Sequence, residues 1–258
     1  MPKGWSANTY EPFGNIEGYE LIRDTNGTVR YLICLKFGYI LSIRPGGYIP
    51  RSGLALCQHL IDVVDEEVFD IGTGDSGILG IHCYTLGAKS VIACDIDPKV
   101  IAWAKRHGPS KISWIVGDTY TMLKNSQRFD LIVSNPPQLP MEHPGIFHDY
   151  GGWDGRSCIK KIINGAPHYL KTRGKLLLLV FDFLSTLERY GPEQSITEMI
   201  TSQGLRYKVV GEYTKQIRSE GETRKSLDWI QKIYPWYQFS EESNGILKHK
   251  VLILEIKK

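Results

Sequence analysis

Apolar and polar positions divide the chain into two regions with different rhythms. From residue 18 to 43, "GYELIRD", "TVRYLICL" and "YILSI" are short runs of β-branched and aromatic residues separated by turn signals, of which "TNG" is the clearest. They predict strands. "RPGGYIPR" (44–51) predicts a loop, and "SGLALCQHLIDVV" (52–64) a helix, with apolar residues at helical spacing and a serine able to cap it. Strand and helix then alternate. "VFDIG" reads as a strand, "GILGIHCYTLG" as a helix closed by Gly87, and "SVIACD" as a strand. "PKVIAWAKRHG" reads as a helix with proline at its first position and Lys105, Arg106 and Gly108 at its end. "ISWIVGD", "FDLIVSN" and "KLLLLVFDF" read as strands, "YTMLKN" as a short helix, and "SCIKKIINGAPHYL" as mostly helix. A helix ("SITEMITSQG") and two strands ("YKVVGEYT", "KVLILEI") follow.

Such alternation predicts an α/β fold, a doubly wound and mostly parallel sheet of seven strands with helices on both faces. No clean crossover helix separates the last two strands, which predicts an antiparallel ending. The expected organisation is a β-rich extension over 1–50, with an irregular arm at 1–16, and an α/β domain over 51–258. A cap is expected at about 214–246. Its segment "TKQIRSEGETRKSLDWIQKIYPWYQF" holds Lys215, Arg218, Arg224, Lys225 and Lys232 beside Trp229, Trp236 and Tyr237. It reads equally as a lid that selects a ligand or as a solvated amphipathic helix.

Composition narrows the class. The chain has 258 residues, 42% hydrophobic and 23% charged, enough for one large domain. No apolar run is long enough to span a bilayer. "MPKGWSANTYEPFG" has neither the apolar core nor the cleavage site of a secretion signal. Five scattered cysteines with no C-x-x-C pair argue against zinc and disulfides and for a cytoplasmic location. The net charge of +3 permits an anionic partner without demanding one, and duplex DNA is not favoured.

Two motifs carry chemistry. In "FDIGTGDSGILGI", Gly72, Gly74 and Gly77 lie between a predicted strand and a predicted helix at G-x-G-x-x-G spacing. Glycine lets a backbone turn sharply and approach a ligand, and the helix start offers free N–H groups. About twenty residues on, "ACDIDP" places Asp95 and Asp97 where a carboxylate can accept both hydroxyls of a ribose. A nucleoside-containing cofactor follows, and both NAD(P) and S-adenosylmethionine qualify. Asp70, just before the first glycine, suits a cationic ligand and opposes a pyrophosphate. The second motif is "FDLIVSNPPQLP", a strand that stops at Ser134 and delivers Asn135 to the crevice beyond the strand ends. Proline has no N–H, so this loop cannot bond back to its own carbonyls. The Asn135 amide oxygen and the Pro136 carbonyl make two fixed acceptors, which suit an –NH2 group and would aim its lone pair at an electrophilic methyl.

Together these segments resemble the class I S-adenosylmethionine-dependent methyltransferases. More narrowly, they are similar to the small methyltransferase group that includes the HemK/PrmC-type glutamine-amide enzymes. The resemblance runs from about 44 to 183, through "RPGGYIPRSGLAL", "DIGTG", "ACDID", "SNPPQ" and "GGWDG". It implies a cofactor site at Asp70, Gly72, Thr73, Gly74, Asp95, Ile96, Asp118 and Asn135. It implies catalytic placement of the acceptor nitrogen by Asn135 and Pro136, with Tyr48, Arg51, Pro137, Gln138 and Trp153 facing the acceptor. S-adenosyl-L-methionine would be the cofactor and S-adenosyl-L-homocysteine the product. The chain departs from the pattern at three places. One residue is added in "GTGDSG". Gln138 stands where the group carries an aromatic, and Trp153 is a candidate substitute. The N-terminal region reads as strands rather than as a helical module. The expected acceptor is a nitrogen of a small molecule or protein side chain, with an RNA or DNA base as the alternative and a nicotinamide-dependent oxidoreductase as the rival class. His143 and His148 read as surface histidines flanking a loop that covers substrate.

Overall fold

The computed structural model describes residues 10–12, 18–144, 148–243 and 245–258. The expected arm at 1–16 lies outside the described residues except for its last strand. Four antiparallel strands in sequential order open the chain: β1 (Tyr10–Pro12), β2 (Tyr19–Arg23), β3 (Val29–Cys34) and β4 (Tyr39–Ser42). Helix α1 (Arg51–Cys57) leads into β5 (Glu67–Ile71), α2 (Ile78–Thr85), β6 (Ser90–Asp95), α3 (Pro98–His107), β7 (Ser113–Val116) and β8 (Phe129–Ser134). Then come α4 (Ser157–Tyr169), β9 (Leu170–Phe181), α5 (Ile196–Ser202), β10 (Arg206–Gln216), α6 (Glu222–Lys225), α7 (Leu227–Ile233), β11 (Ser240–Glu241) and β12 (Leu247–Lys257).

The main sheet runs β10-β12-β9-β8-β5-β6-β7. Strands β9, β8, β5, β6 and β7 are parallel, while β12 is antiparallel to both β9 and β10. The seven strands and the antiparallel ending are as the pattern predicts; two-residue β11 adds an eighth, paired to β12. Strands near the middle are buried on both faces, so Leu176–Val180 and Val251–Leu254 are unbroken apolar runs. Edge strand β10 instead alternates exposed positions and carries Lys208, Glu212 and Lys215.

Two expected helices differ. The helix predicted over 52–64 stops at Cys57, and 58–60 continue as i→i+3 turns onto Ala55, Leu56 and Cys57 carbonyls. The preceding residue is Pro50, and Ser52 lies inside the helix, so it does not cap it. "YTMLKN" forms turns, not a helix. Six residues are too few to hold a helix without packing, and Tyr120 is instead drawn inward, its hydroxyl donating to the Ile162 carbonyl at 2.9 Å.

The N-terminal sheet shares one hydrophobic core with the α/β unit, through Leu32, Tyr39 and Leu41 against the layer that contains Leu54 and Ile81. A polar chain crosses the seam: Tyr19 and Tyr39 hydroxyls lie 3.2 Å apart, and the Tyr39 hydroxyl meets His82 Nδ1 at 2.9 Å. Burial holds His82 at a pKa of about 4, so it stays neutral there.

Candidate active site

The carboxyl ends of β5, β6 and β8 open onto one crevice, where a parallel sheet places its ligands. The glycine loop after β5 is shaped by the neighbouring strand. Gly72 and Thr73 N–H groups both donate to the Cys94 carbonyl, and the Gly74 N–H donates to Asp95 Oδ2 at 3.1 Å. Gly74 sits at φ +65°, and a β-carbon there would lie 2.6 Å from the Tyr48 hydroxyl. Gly77, whose role the added loop residue left open, starts α2 at φ +61°, with the Trp114 ring 2.6 Å from where its β-carbon would be. Both positions therefore require glycine, one for the cleft wall and one for packing.

Asp70 lies behind this loop rather than on the cleft wall. It is fully buried; its Oδ2 accepts from Thr73 Oγ1 at 2.6 Å and from the Gly80 N–H at 2.9 Å, while Oδ1 has no partner. Burial pushes its pKa up to about 7 against those two hydrogen bonds. Asp70 and Thr73 thus brace the loop and the first turn of α2, and neither lines the cleft. Asp70, expected to face a cationic ligand, here spends Oδ2 on Thr73 and Gly80 behind the loop.

The first cavity is lined by Gly72, Gly74, Asp95, Ile96, Asp118 and Asn135 from among the expected residues. Arg44, Tyr48, Asp75, Asp97, Val100, Gly117, Thr119, Pro137, His148 and Cys158 also line it. Asp95 accepts from two backbone N–H groups, Gly74 on one oxygen and Asp97 on the other, at 3.1 and 3.0 Å. Burial raises its pKa, and Asp97 and Asp75 add to that. Ile96 and Val100 give an apolar wall beside this carboxylate. Asp118 is paired to Lys161 on α4. Asp75 is buried and held by Arg44 at 3.0 Å, which ties the 44–50 loop to the glycine loop. The sequence reading missed Asp75, Arg44 and Cys158. The added residue in "GTGDSG" was the available signal for Asp75, because an extra buried acid needs a partner.

A second cavity adjoins the first and shares Tyr48, Asn135, Pro137 and His148 with it. Its further lining includes Arg51, Pro136, Gln138, Asp149, Phe181, Lys215, Arg218 and Glu222. Asn135 is half-buried at the junction, and no described residue hydrogen-bonds its side-chain amide. The Pro136 carbonyl takes only a long 3.4 Å bond from Gln138 Nε2.

Gln138 is buried, with its amide committed to the protein. Nε2 also donates to the Leu179 carbonyl at 3.2 Å, and Oε1 accepts from the Phe181 N–H at 2.7 Å. It fastens the Asn-Pro-Pro loop to β9, so its place in the lining is that of a strut. Trp153 lies outside both cavities. It is 55% exposed, packs edge-on against Trp229 at 5.9 Å, and its carbonyl accepts from Trp229 Nε1. Its ring, expected to replace the missing aromatic, lies toward α7, while the loop around it is held by the Leu139–Tyr150 bridge and the buried Asp154–Arg156 pair. The ring at the junction is Tyr48, stacked on His148 at 4.5 Å and 11°. His148, read from sequence as a surface residue, lines both cavities.

Among the described residues, no helix is long and apolar enough to cross a membrane, and no cluster of histidine, cysteine and acidic residues could hold a metal ion. The five cysteines are free thiols.

Known proteins resemble this chain over part of its length. A candidate protein N5-glutamine methyltransferase of Methanocaldococcus jannaschii is 32% identical over 152 residues, covering 55% of this chain and 76% of that one. The release factor glutamine methyltransferase of Xylella fastidiosa is 32% identical over 136 residues, covering 47% of this chain and 49% of its own length. The chain therefore spans about half of the latter relative. The YcgJ protein of Bacillus subtilis has the same fold, with a TM-score of 0.53 at 16% identity, over 81% of this chain and 99% of that one. The methyltransferase small domain matches residues 50–209, which include α1, the glycine loop, Asp95 and the Asn-Pro-Pro loop, and by that match the chain belongs to the methyltransferase small domain family.

Proposed function

We propose that this methyltransferase moves a methyl group from S-adenosylmethionine to a nitrogen, of the amide class named for its relatives, in a protein side chain or small molecule. The observation that carries the reading is the meeting of two cavities at Asn135, whose amide has no partner among the described residues.

The first cavity fits the cofactor. Asp95 accepts one backbone N–H on each oxygen, and each oxygen keeps a lone pair for a ribose hydroxyl. Ile96 and Val100 offer an apolar wall for a planar base. Asp75, Asp95, Asp97 and Asp118 line this cavity, with Arg44 already paired to Asp75. That acidic lining favours a ligand with sulfonium and ammonium charges and repels a pyrophosphate, which speaks against the nicotinamide reading. When bound, S-adenosylmethionine supplies an electrophilic methyl.

The chain's own part is positioning. Asn135 Oδ1 and the Pro136 carbonyl accept hydrogen bonds from an –NH2 group and fix its lone pair along the line of attack. The two prolines and the Gln138 strut keep these acceptors from relaxing. Tyr48 supplies a flat face beside the acceptor nitrogen, the part an aromatic after the prolines would otherwise take. No strong base is required: the nitrogen becomes acidic only as its lone pair bonds to the methyl carbon and the donor's carbon–sulfur bond breaks, and the released proton passes to solvent water.

The test uses methyl-labelled S-adenosylmethionine with glutamine-containing peptides, amino-acid amides and RNA. Asn135→Ala should bind S-adenosylhomocysteine within about threefold of the parent protein and lose about 10²–10³ in turnover, the range for one fixed polar group at a reacting centre. Unchanged turnover in Asn135→Ala defeats the reading. Methylation of RNA alone, with affinity falling steeply with salt, would move the acceptor to nucleic acid.

A further inference from the structure

The second cavity gathers cations from two separate stretches of chain. Arg51 opens α1, Lys215 lies near the end of β10, and Arg218 follows in the connection to α6. All three line the space that also contains Asn135, Pro136 and Pro137. Lys215 is half-buried, with its ammonium 4.7 Å from the centre of the Phe181 ring. Neither the Lys215 ammonium nor the Arg218 guanidinium makes a hydrogen bond or ion pair with a described residue. The two carboxylates on the same walls have other contacts: Glu222 pairs with Lys225 at 2.6 Å, and Asp149 lies 3.4 Å from His148 Nε2.

The like charges disturb one another. Burial lowers the Lys215 pKa; Asp149 is the strongest charge acting on it and opposes this, while Arg218 and Arg51 lower it further. Burial and Arg218 lower that of Arg51. Arg51 and Arg218 are exposed at the cavity rim, so the cost of gathering these charges falls mainly on the half-buried Lys215. A bound anion would remove the repulsion, and guanidinium and ammonium groups donate short, strong hydrogen bonds to oxyanions.

From this we infer that the methyl acceptor carries an oxyanion, a carboxylate or phosphate, held by Arg51, Lys215 and Arg218 while its nitrogen reaches Asn135. The inference rests on the proposed function for the identity of the ligand as acceptor. The anion site itself stands on the cavity. Its consequence is a division of labour across the sheet edge: the acidic first cavity takes the cationic cofactor, and the basic second cavity takes the anionic acceptor. Each ligand is thereby excluded from the other's place. The same charges give the cap segment a role, because Arg218 comes from the connection that separates β10 from α6 and α7.

The test measures anion binding directly, with the full chain saturated with S-adenosylhomocysteine. Succinate and inorganic phosphate are titrated by calorimetry against chloride at matched ionic strength. Saturable binding of at least one is expected, and the tighter of the two identifies the oxyanion as carboxylate or phosphate. Lys215→Met and Arg218→Gln should each weaken it about tenfold or more, the scale for a charge-assisted hydrogen bond. Arg218→Lys should recover part of the loss. Lys208→Met removes the same charge from the far end of β10, where Lys208 pairs with Glu255, and should bind as the parent does. Absence of saturable binding in the parent protein, or an equal loss in Lys208→Met, overturns the inference. S-adenosylhomocysteine binding in each variant reports folding. Its absence in the parent protein would instead overturn the cofactor reading, so the two failures are distinguishable.

Discussion

Replacing Asp70 by asparagine should change how stability depends on pH. In the folded chain Asp70 is fully buried, and its pKa stands at about 7 against an ordinary 3.8. Between those values the unfolded chain has released this proton and the folded chain still holds it, so folding takes up a proton. Stability contributed by this group is therefore complete below about pH 4 and declines as pH rises through 7. A difference of about three units is worth about 4 kcal/mol at full ionisation, and about 2–3 kcal/mol of it falls between pH 5 and 8. Asparagine keeps an oxygen for Thr73 Oγ1 and the Gly80 N–H but has no proton to lose. Its –NH2 would occupy the place of Oδ1, which has no partner, so a pH-independent cost of about 1–3 kcal/mol is expected as well. The informative quantity is thus the slope and not the level. Urea unfolding followed by circular dichroism from pH 5 to 8 should show the parent protein losing about 2–3 kcal/mol relative to Asp70→Asn as pH rises, so that the variant becomes the more stable of the two near pH 8. Parallel stability curves would refute the assignment of a neutral Asp70 behind the loop.

Other substitutions test the supports of the site. Gln138→Leu removes two hydrogen bonds from the Asn-Pro-Pro loop to β9 and a long one within the loop, and leaves the Phe181 N–H without its acceptor; denaturant titration should show a loss of about 2–4 kcal/mol. Gly77→Ala forces a side chain into the left-handed region and a β-carbon to 2.6 Å from the Trp114 ring, which should cost about 2–4 kcal/mol in the same experiment. Trp153→Ala deletes a ring that touches Trp229 outside both cavities, so methyl transfer should stay within about threefold while stability falls by about 1 kcal/mol; a loss of transfer beyond tenfold would return Trp153 to the acceptor site.

The chemistry of the crevice was legible because it depends on residue type at short spacing. Glycines between a strand and a helix, an acid at the next strand end, and an asparagine locked by prolines each act through local backbone geometry. Helix length was less legible. The apolar spacing of 52–64 continues past Cys57, yet Ile61 and Val64 are exposed and the chain turns, because no neighbouring layer covers that face. Long-range partners were not legible at all. Nothing near Gln138 in sequence announces the Leu179 carbonyl and the Phe181 N–H, some forty residues away.

By itself the amino-acid sequence determined the alternation of strands and helices, the antiparallel ending and the position of Asn135 beyond a strand end, because periodicity and proline act within a few residues. Only the tertiary structure decided which of the candidate side chains line the two cavities. It placed Asp70 and Thr73 behind the loop, made Gln138 a strut and turned Trp153 away. It also brought Tyr48, His148, Lys215 and Arg218 to the cavity beside the asparagine from three separate segments. The reason is that a side chain's job is set by what lies across from it, and burial, charge and hydrogen-bond partners are supplied by chain segments that no local pattern specifies.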